Sequence, residues 1–328
     1  MIKFAIMYLT AHQSWAKLPL KIRSKPMCDL TNPIYTDPVK AREHLEAIRW
    51  PDGVICPFCE RMDTVSPYRT FGEGWHHCRA CRKKFTIRVG SIYERSKIGL
   101  HKWILATHLM VASKKGVTAH QLHRMLGVTY KTAWFMAHRI REGMKEAHLE
   151  PMGGPGSNVQ ADETYFGNKK GPRRGRRGPS GKRAVVSLVS GGKARTFHVK
   201  SASSKTVRRL LVENVTRDTE LHTDESPIYM RVGEEFAKHR KVNHTSGQYV
   251  GKHGQTTNAV ENYFSVFKRG MKGVYQHCSE KHLQRYINEF DFRYNSRDIG
   301  DTERRDRAIA GGEGKRLTYR RVGQRANV

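Results

Sequence analysis

Acid is scarce in this chain. Thirty Asp plus Glu face sixty Lys plus Arg, a formal net charge of +30 at pH 7, which excludes a cationic partner and calls for a polyanionic one. Long apolar runs are missing too. No window approaches eighteen consecutive apolar residues, which excludes a membrane-spanning helix, and the stretch MIKFAIMYLTAHQSWAKLPLK is too weakly apolar for a signal peptide. These absences predict a cytoplasmic, nucleoid-associated protein with no membrane partner. Internal repeats are absent. Cysteines number six, and four of them fall between Cys56 and Cys81, which excludes a spread disulfide framework and suggests metal.

What is present supports buried cores. The 38% hydrophobic fraction over 328 residues rules out a disordered basic tail and allows one large or two to three small domains. Residues 1–29 read as a flexible arm or a translation extension, because Met27 opens a segment that reads as a natural start. Cys56-Pro-Phe-Cys59 and Cys78-Arg-Ala-Cys81 are two knuckles at the spacing of one tetrahedral structural Zn²⁺, so 30–95 reads as a zinc ribbon. Its His76 and His77 read as surface residues. Within 96–150, HKWILATHLMVASKK, TAHQLHRMLG and TYKTAWFMAHRIREGMKEA read as three helices of helix-turn-helix layout, with Thr129 as an N-cap. His120, Arg124, Tyr130, Lys131, Arg139 and Arg141 would seek DNA from it, and Trp103, Trp134 and Phe135 would fill its core.

Residues 151–158, rich in Pro and Gly, form a linker. Beyond it, 159–300 reads as an α/β domain. NVQADETYF, RAVVSLVS, ARTFHVKSA and ELHTD are strands, whereas SKTVRRLLVENV, SPIYMRVGEEFAKH, TTNAVENYFSVFKRGM and EKHLQRYINEFDFRYN are helices. That order is ribonuclease-H-like. Residues 301–328 read as a weakly patterned basic tail. The loop 167–183 carries eight Lys or Arg and no acid, so Lys169, Lys170, Arg173, Arg174, Arg176 and Arg177 are candidate phosphate contacts.

Asp162 and Asp224 end strands and Glu261 sits in a helix. Carboxylates so placed suit a two-metal phosphoryl-transfer site, whereas alternation turns Glu163 and Glu225 to the opposite faces. The motifs D-E-x-x-F-G, H-T-D and N-x-x-E with Lys268 seven residues on resemble the DDE transposases of the bacterial insertion-sequence group related to Merlin elements, which pair a zinc ribbon with a ribonuclease-H-like domain. The resemblance runs from about Leu30 to Arg297. It implies that Asp162, Asp224 and Glu261 hold two Mg²⁺, with Mn²⁺ as a substitute, and that Lys268 and Arg269 contact DNA. Asn258, one turn before Glu261, competes for the third position, because some relatives use Asn there. The implied activity is Mg²⁺-dependent 3′-end cleavage and strand transfer of element ends into target DNA, by a homodimer or higher oligomer. The alternatives are a nuclease without strand transfer and a DNA-binding regulator with an inactive catalytic domain.

Overall fold

The computed structural model describes residues 29–146, 149–168, 181–244 and 250–318. Its first part begins with α1 (Pro38–Arg49), which starts where Asp37 accepts from the Val39 N–H at 2.7 Å and proline occupies the first turn. That is the strongest local start signal a helix can carry. Three short antiparallel strands follow, β1 (Val65–Pro67), β2 (His76–Cys78) and β3 (Lys84–Phe85), paired in chain order. Then come α2 (Leu100–Ala112), α3 (Ala119–Leu126) and α4 (Tyr130–Gly143). Gly127, in the left-handed region at φ 60°, ends α3, and Thr129 accepts from the Thr132 N–H to start α4. The turn is tight because both caps are supplied locally.

The ribbon and these helices do not build separate cores. Leu45, Phe85 and Ile92 pack in one cluster with Trp103, Met110, Leu122, Met136 and Ile140. His76, read as a surface residue, is buried there with its ring stacked 5.6 Å from Phe85. Trp103 is buried, but Trp134 is only half-buried and packs against His138 and His282 instead. Phe135 is half-buried beneath the Arg139 guanidinium.

The second part is a five-stranded sheet of β4 (Asn158–Asn168), β5 (Lys182–Ser190), β6 (Lys193–Val199), β7 (Glu220–Thr223) and β8 (Lys238–Lys241), ordered β6-β5-β4-β7-β8. The first three strands are antiparallel neighbours, while β7 runs parallel to β4 and β8 to β7. This is the ribonuclease-H-like arrangement. Side chains of β5 alternate between two cores: Val186 and Leu188 face α5 (Ser204–Asn214), and Val185 and Val189 face α7 (Asn258–Gly270) and α8 (Glu280–Asn295). A strand buried on both faces reads as a continuous apolar run.

Four expectations need correction. The helix expected over SPIYMRVGEEFAKH is a single 3-10 turn and the short α6 (Met230–Gly233), followed by β8. β8 is Lys-His-Arg-Lys, without an apolar alternation to reveal it; it forms through backbone pairing at the sheet edge, where charge discourages further strands. The 151–158 linker is tied to the sheet domain, because Met152 exchanges backbone hydrogen bonds with Asn214 and Thr216 at 2.7 and 3.0 Å. The basic tail begins with α9 (Asp301–Ala310), which buries Ala308 and Ile309 in the first core. Arg139 and Arg141 point inward: Arg139 donates to the Leu317 and Glu94 carbonyls, and Arg141 binds Glu289.

Glu289 joins the two parts. It is fully buried on α8, with Arg141 Nε of α4 at 2.7 Å, the Tyr275 hydroxyl at 2.5 Å and Arg293 on the same carboxylate. Burial alone would raise its pKa, but Arg293 and Arg141 hold it below the usual carboxylate range. Removing one member of such a group strands the rest without solvent. Glu289→Ala is therefore expected to destabilise the protein by about 3–5 kcal/mol, read as a lower urea midpoint; an unchanged midpoint would refute it.

Candidate active site

Asp162 lies on β4, opposite Ser187 of β5. The parallel register that sets Gln160 beside His222 continues to Asp162 and Asp224, one residue past the end of β7. Glu261 comes from the first turn of α7, which packs across β4. Asp162, expected at a strand end, lies instead inside β4, which runs on to Asn168, so a strand interior, a strand end and a helix start supply the three acids.

The helix is positioned by a residue the sequence reading missed. Thr257, at the N-cap of α7, makes no side-chain capping bond, and Gln160 Oε1 instead accepts from the Ala259 and Val260 N–H groups at 2.9 and 3.3 Å. Gln160 and Asp162 share one face of β4. The same strand face therefore carries the first carboxylate and clamps the helix bearing the third. A polar residue two positions before Asp162, and so on the same strand face, was the available signal.

His244 was also missed. Its Nε2 stands 3.1 Å from Glu261 Oε1 and 3.0 Å from Thr257 Oγ1, and the Thr257 hydroxyl donates to that Glu261 oxygen at 2.7 Å. One carboxylate oxygen of Glu261 is thereby held. Nothing in V-N-H marks this histidine, because only the fold brings it to α7.

A cleft of about 600 Å³ is lined by the acids Asp162, Glu163 and Glu261 and by the cations Lys268, Arg269 and Lys272. Lys268 reaches the same cleft as Glu261 because seven residues are nearly two full helical turns. Asn258 is exposed at the start of α7 and does not line it. Glu163 does face away from Asp162, toward the buried Tyr229, whose hydroxyl donates to it at 2.8 Å, yet it still borders the cleft. Glu225 is exposed.

Negative charge is crowded here. Burial, then Glu163, Asp224 and Glu261, push Asp162 up to about 7 against the pull of the Glu163 N–H. Burial likewise raises Asp224, while the Ser226 N–H and His244 pull it back. Lys169, Lys170, Arg173, Arg174, Arg176 and Arg177 lie outside the described residues.

The cysteines form the second site. Cys56 and Cys81 Sγ are 3.6 Å apart, and Cys59 and Cys78 Sγ are 3.5 Å apart. A tetrahedral zinc with bonds of about 2.3 Å sets its sulfurs about 3.8 Å apart. Among the described residues this is the group of metal-ligating side chains whose donor atoms all lie within 4.8 Å of one another, whereas the cleft carboxylates stand wider. The Thr64 hydroxyl, 3.4 Å from Cys78 Sγ, pulls that thiol down to about 6.

A family model described as an ISXO2-like transposase domain matches residues 153–295, and one described as a transposase zinc-ribbon domain matches 37–84. A relative from Halobacterium salinarum (strain ATCC 700922 / JCM 11081 / NRC-1), described as an uncharacterized protein in transposable element ISH50, is 27% identical over 277 residues, covering 77% of this chain and 90% of its own. Two solved structures also align. The simian T-cell lymphotropic virus intasome with PP2A regulatory subunit B56 gamma does so at 14% identity over 55% of this chain and 66% of that one, with a TM-score of 0.27. The Mos1 strand transfer complex does so at 10% identity over 64% and 78%, with a TM-score of 0.20. Scores that low carry no argument. The two matches lie in the order zinc ribbon and then transposase domain, so the chain carries the two domains of an insertion-sequence transposase.

Proposed function

We propose that this transposase cuts the 3′ ends of its insertion sequence and joins them to target DNA, in the cytoplasm on the nucleoid, as a dimer or larger assembly that holds both ends. The observation carrying this reading is the gathering of Asp162 and Glu261 with Lys268, Arg269 and Lys272 in one cleft, with Asp224 outside its lining but near enough to Asp162 to raise its pKa. An all-oxygen donor set with unrelieved mutual repulsion fits a hard divalent cation. Asp162, Asp224 and Glu261 would hold Mg²⁺, or Mn²⁺ in its place. Bound there, the metal would supply Lewis-acid polarisation of the scissile phosphate.

The remaining work falls to this chain's own groups. Gln160 fixes the distance between β4 and α7, while His244 and Thr257 hold one oxygen of Glu261 and leave the other to face the cleft. Lys268 would pair with a phosphate oxygen at the reacting position, and Arg269 and Lys272 would continue the contact along the backbone. The 167–183 loop follows β4 and would extend it further. Asn258 is read as a neighbour rather than the third ligand. In the ribbon, Cys56, Cys59, Cys78 and Cys81 would hold one structural Zn²⁺.

The test is a paired gel-shift and end-joining assay in Mg²⁺. Glu261→Ala is expected to stop joining while still binding element ends, and Asn258→Ala to keep joining within about tenfold, the scale of an outer partner's loss. The reverse pattern would give the third position to Asn258, and cutting without joining in the unaltered protein would make it a nuclease.

A further inference from the structure

The ribbon's small sheet has two distinct faces. His76 pairs with Phe85 and Val65 with Cys78, and the buried His76, Cys78 and Phe85 turn that side to the core. Ser66 pairs with His77 and His77 with Lys84, so alternation sets these three on the outer side. The Tyr68 N–H donates to the Trp75 carbonyl at 2.7 Å and carries the ladder one step further. An outer face would ordinarily be polar.

Here it is aromatic and cationic. The Tyr68 and Phe71 rings meet edge-to-face at 5.1 Å, Phe71 and Trp75 at 5.3 Å, and the His77 ring lies 5.9 Å from Tyr68. Lys84 Nζ stands 4.1 Å above Tyr68 and 4.3 Å above Phe71, and donates to the Tyr68 hydroxyl at 2.8 Å. Rings that only brace a small domain are covered by it, yet Phe71 keeps 54% of its surface in solvent. Glu73, the nearest acid along the chain, is bound by Arg42 at 3.0 Å.

We infer that the outer face of the ribbon sheet is a stacking platform for unpaired DNA bases, with Phe71 as the ring on which a base lies and Lys84 as the cation for its phosphate. The inference rests on the reading that this protein works on DNA. Net charge selects a polyanion over an apolar protein partner. Between nucleic-acid forms, a duplex buries its base faces in its own stack and offers only edges and phosphates, so it gains nothing from an exposed ring; an unpaired base does. This would bind single strands exposed where an element end is opened.

Fluorescence anisotropy of the full-length protein with labelled oligothymidylate and with a duplex of equal length tests it. Phe71→Leu is expected to weaken oligothymidylate binding on the order of tenfold, with duplex binding within about twofold, because stacking and phosphate contacts are separable. Phe71→Trp should bind like the unaltered protein, and both variants should keep their zinc. Unchanged oligothymidylate binding by Phe71→Leu, or an equal loss on duplex, would overturn the inference. Binding of the unaltered protein to duplex but not oligothymidylate would overturn this inference alone, whereas binding to neither would remove the DNA reading beneath it.

Discussion

Asp162→Asn is expected to lower strand joining by on the order of a thousandfold or more while duplex binding holds, since losing a metal ligand forfeits several kcal/mol of transition-state stabilisation and each 1.36 kcal/mol is tenfold. The same variant should behave oppositely in stability. Burial and the surrounding carboxylates raise Asp162 to about 7 in the metal-free protein, so between about pH 4 and 7 the folded chain holds a proton that the unfolded chain has released. Stability from this group is therefore full below pH 4 and lost as pH rises through 7. Asp162→Asn carries no such loss, and at pH 8 without metal it should be more stable than the unaltered protein by on the order of a few kcal/mol. Mg²⁺ should raise the pH 8 Tm of the unaltered protein and do much less for the variant. Asp291, raised to about 7 by burial although Tyr263 and Thr196 hydrogen-bond it, adds the same slope in both proteins and cancels in the comparison. Joining at normal rates, or a variant less stable at pH 8, would refute the assignment of Asp162.

Zinc removal should have the other large effect. Cys56 and Cys78 are buried in the core that also holds Trp103, Leu122, Ile140 and Ile309, so the thiolate cage is continuous with the helices. Structural zinc in small domains contributes about 10–16 kcal/mol of apparent binding free energy. Cys78→Ser should therefore lose its zinc and unfold the first part cooperatively, helices included, where a free-standing ribbon would have melted alone. Metal analysis should find about one zinc per unaltered chain, as a closed four-thiolate site requires, and none in the variant. Full melting amplitude for α2 to α4 by circular dichroism after chelation would show that the helices do not depend on the metal.

Local rules made much of this molecule legible. The two Cys-x₂-Cys knuckles, Asp37 before Pro38, Thr129 before α4 and the apolar run of β5 each act through neighbours in the chain, so spacing alone reveals them. Asp162, Asp224 and Glu261 stood out as acids in or beside strand-like and helix-like runs, although the strand end expected at Asp162 is in fact the interior of β4. Arg139 and Arg141 show where that logic fails. On a helix they look like a DNA-seeking face, but α8 and the chain near Leu317 supply partners that pull them inside.

What only the tertiary structure decided has one physical cause, contact between residues distant in sequence. β8 exists because β7 offers backbone donors and acceptors to a basic segment of no strand-like pattern. α9 is held because Ala308 and Ile309 find a core built nearly two hundred residues earlier. Gln160 caps a helix that starts about a hundred positions away, and His244 meets Glu261 only after the sheet and α7 are packed. The sequence determined which chemical groups this transposase carries and which local elements bear them. Their distances, partners and proton affinities depend on burial and on long-range packing, which no local pattern encodes.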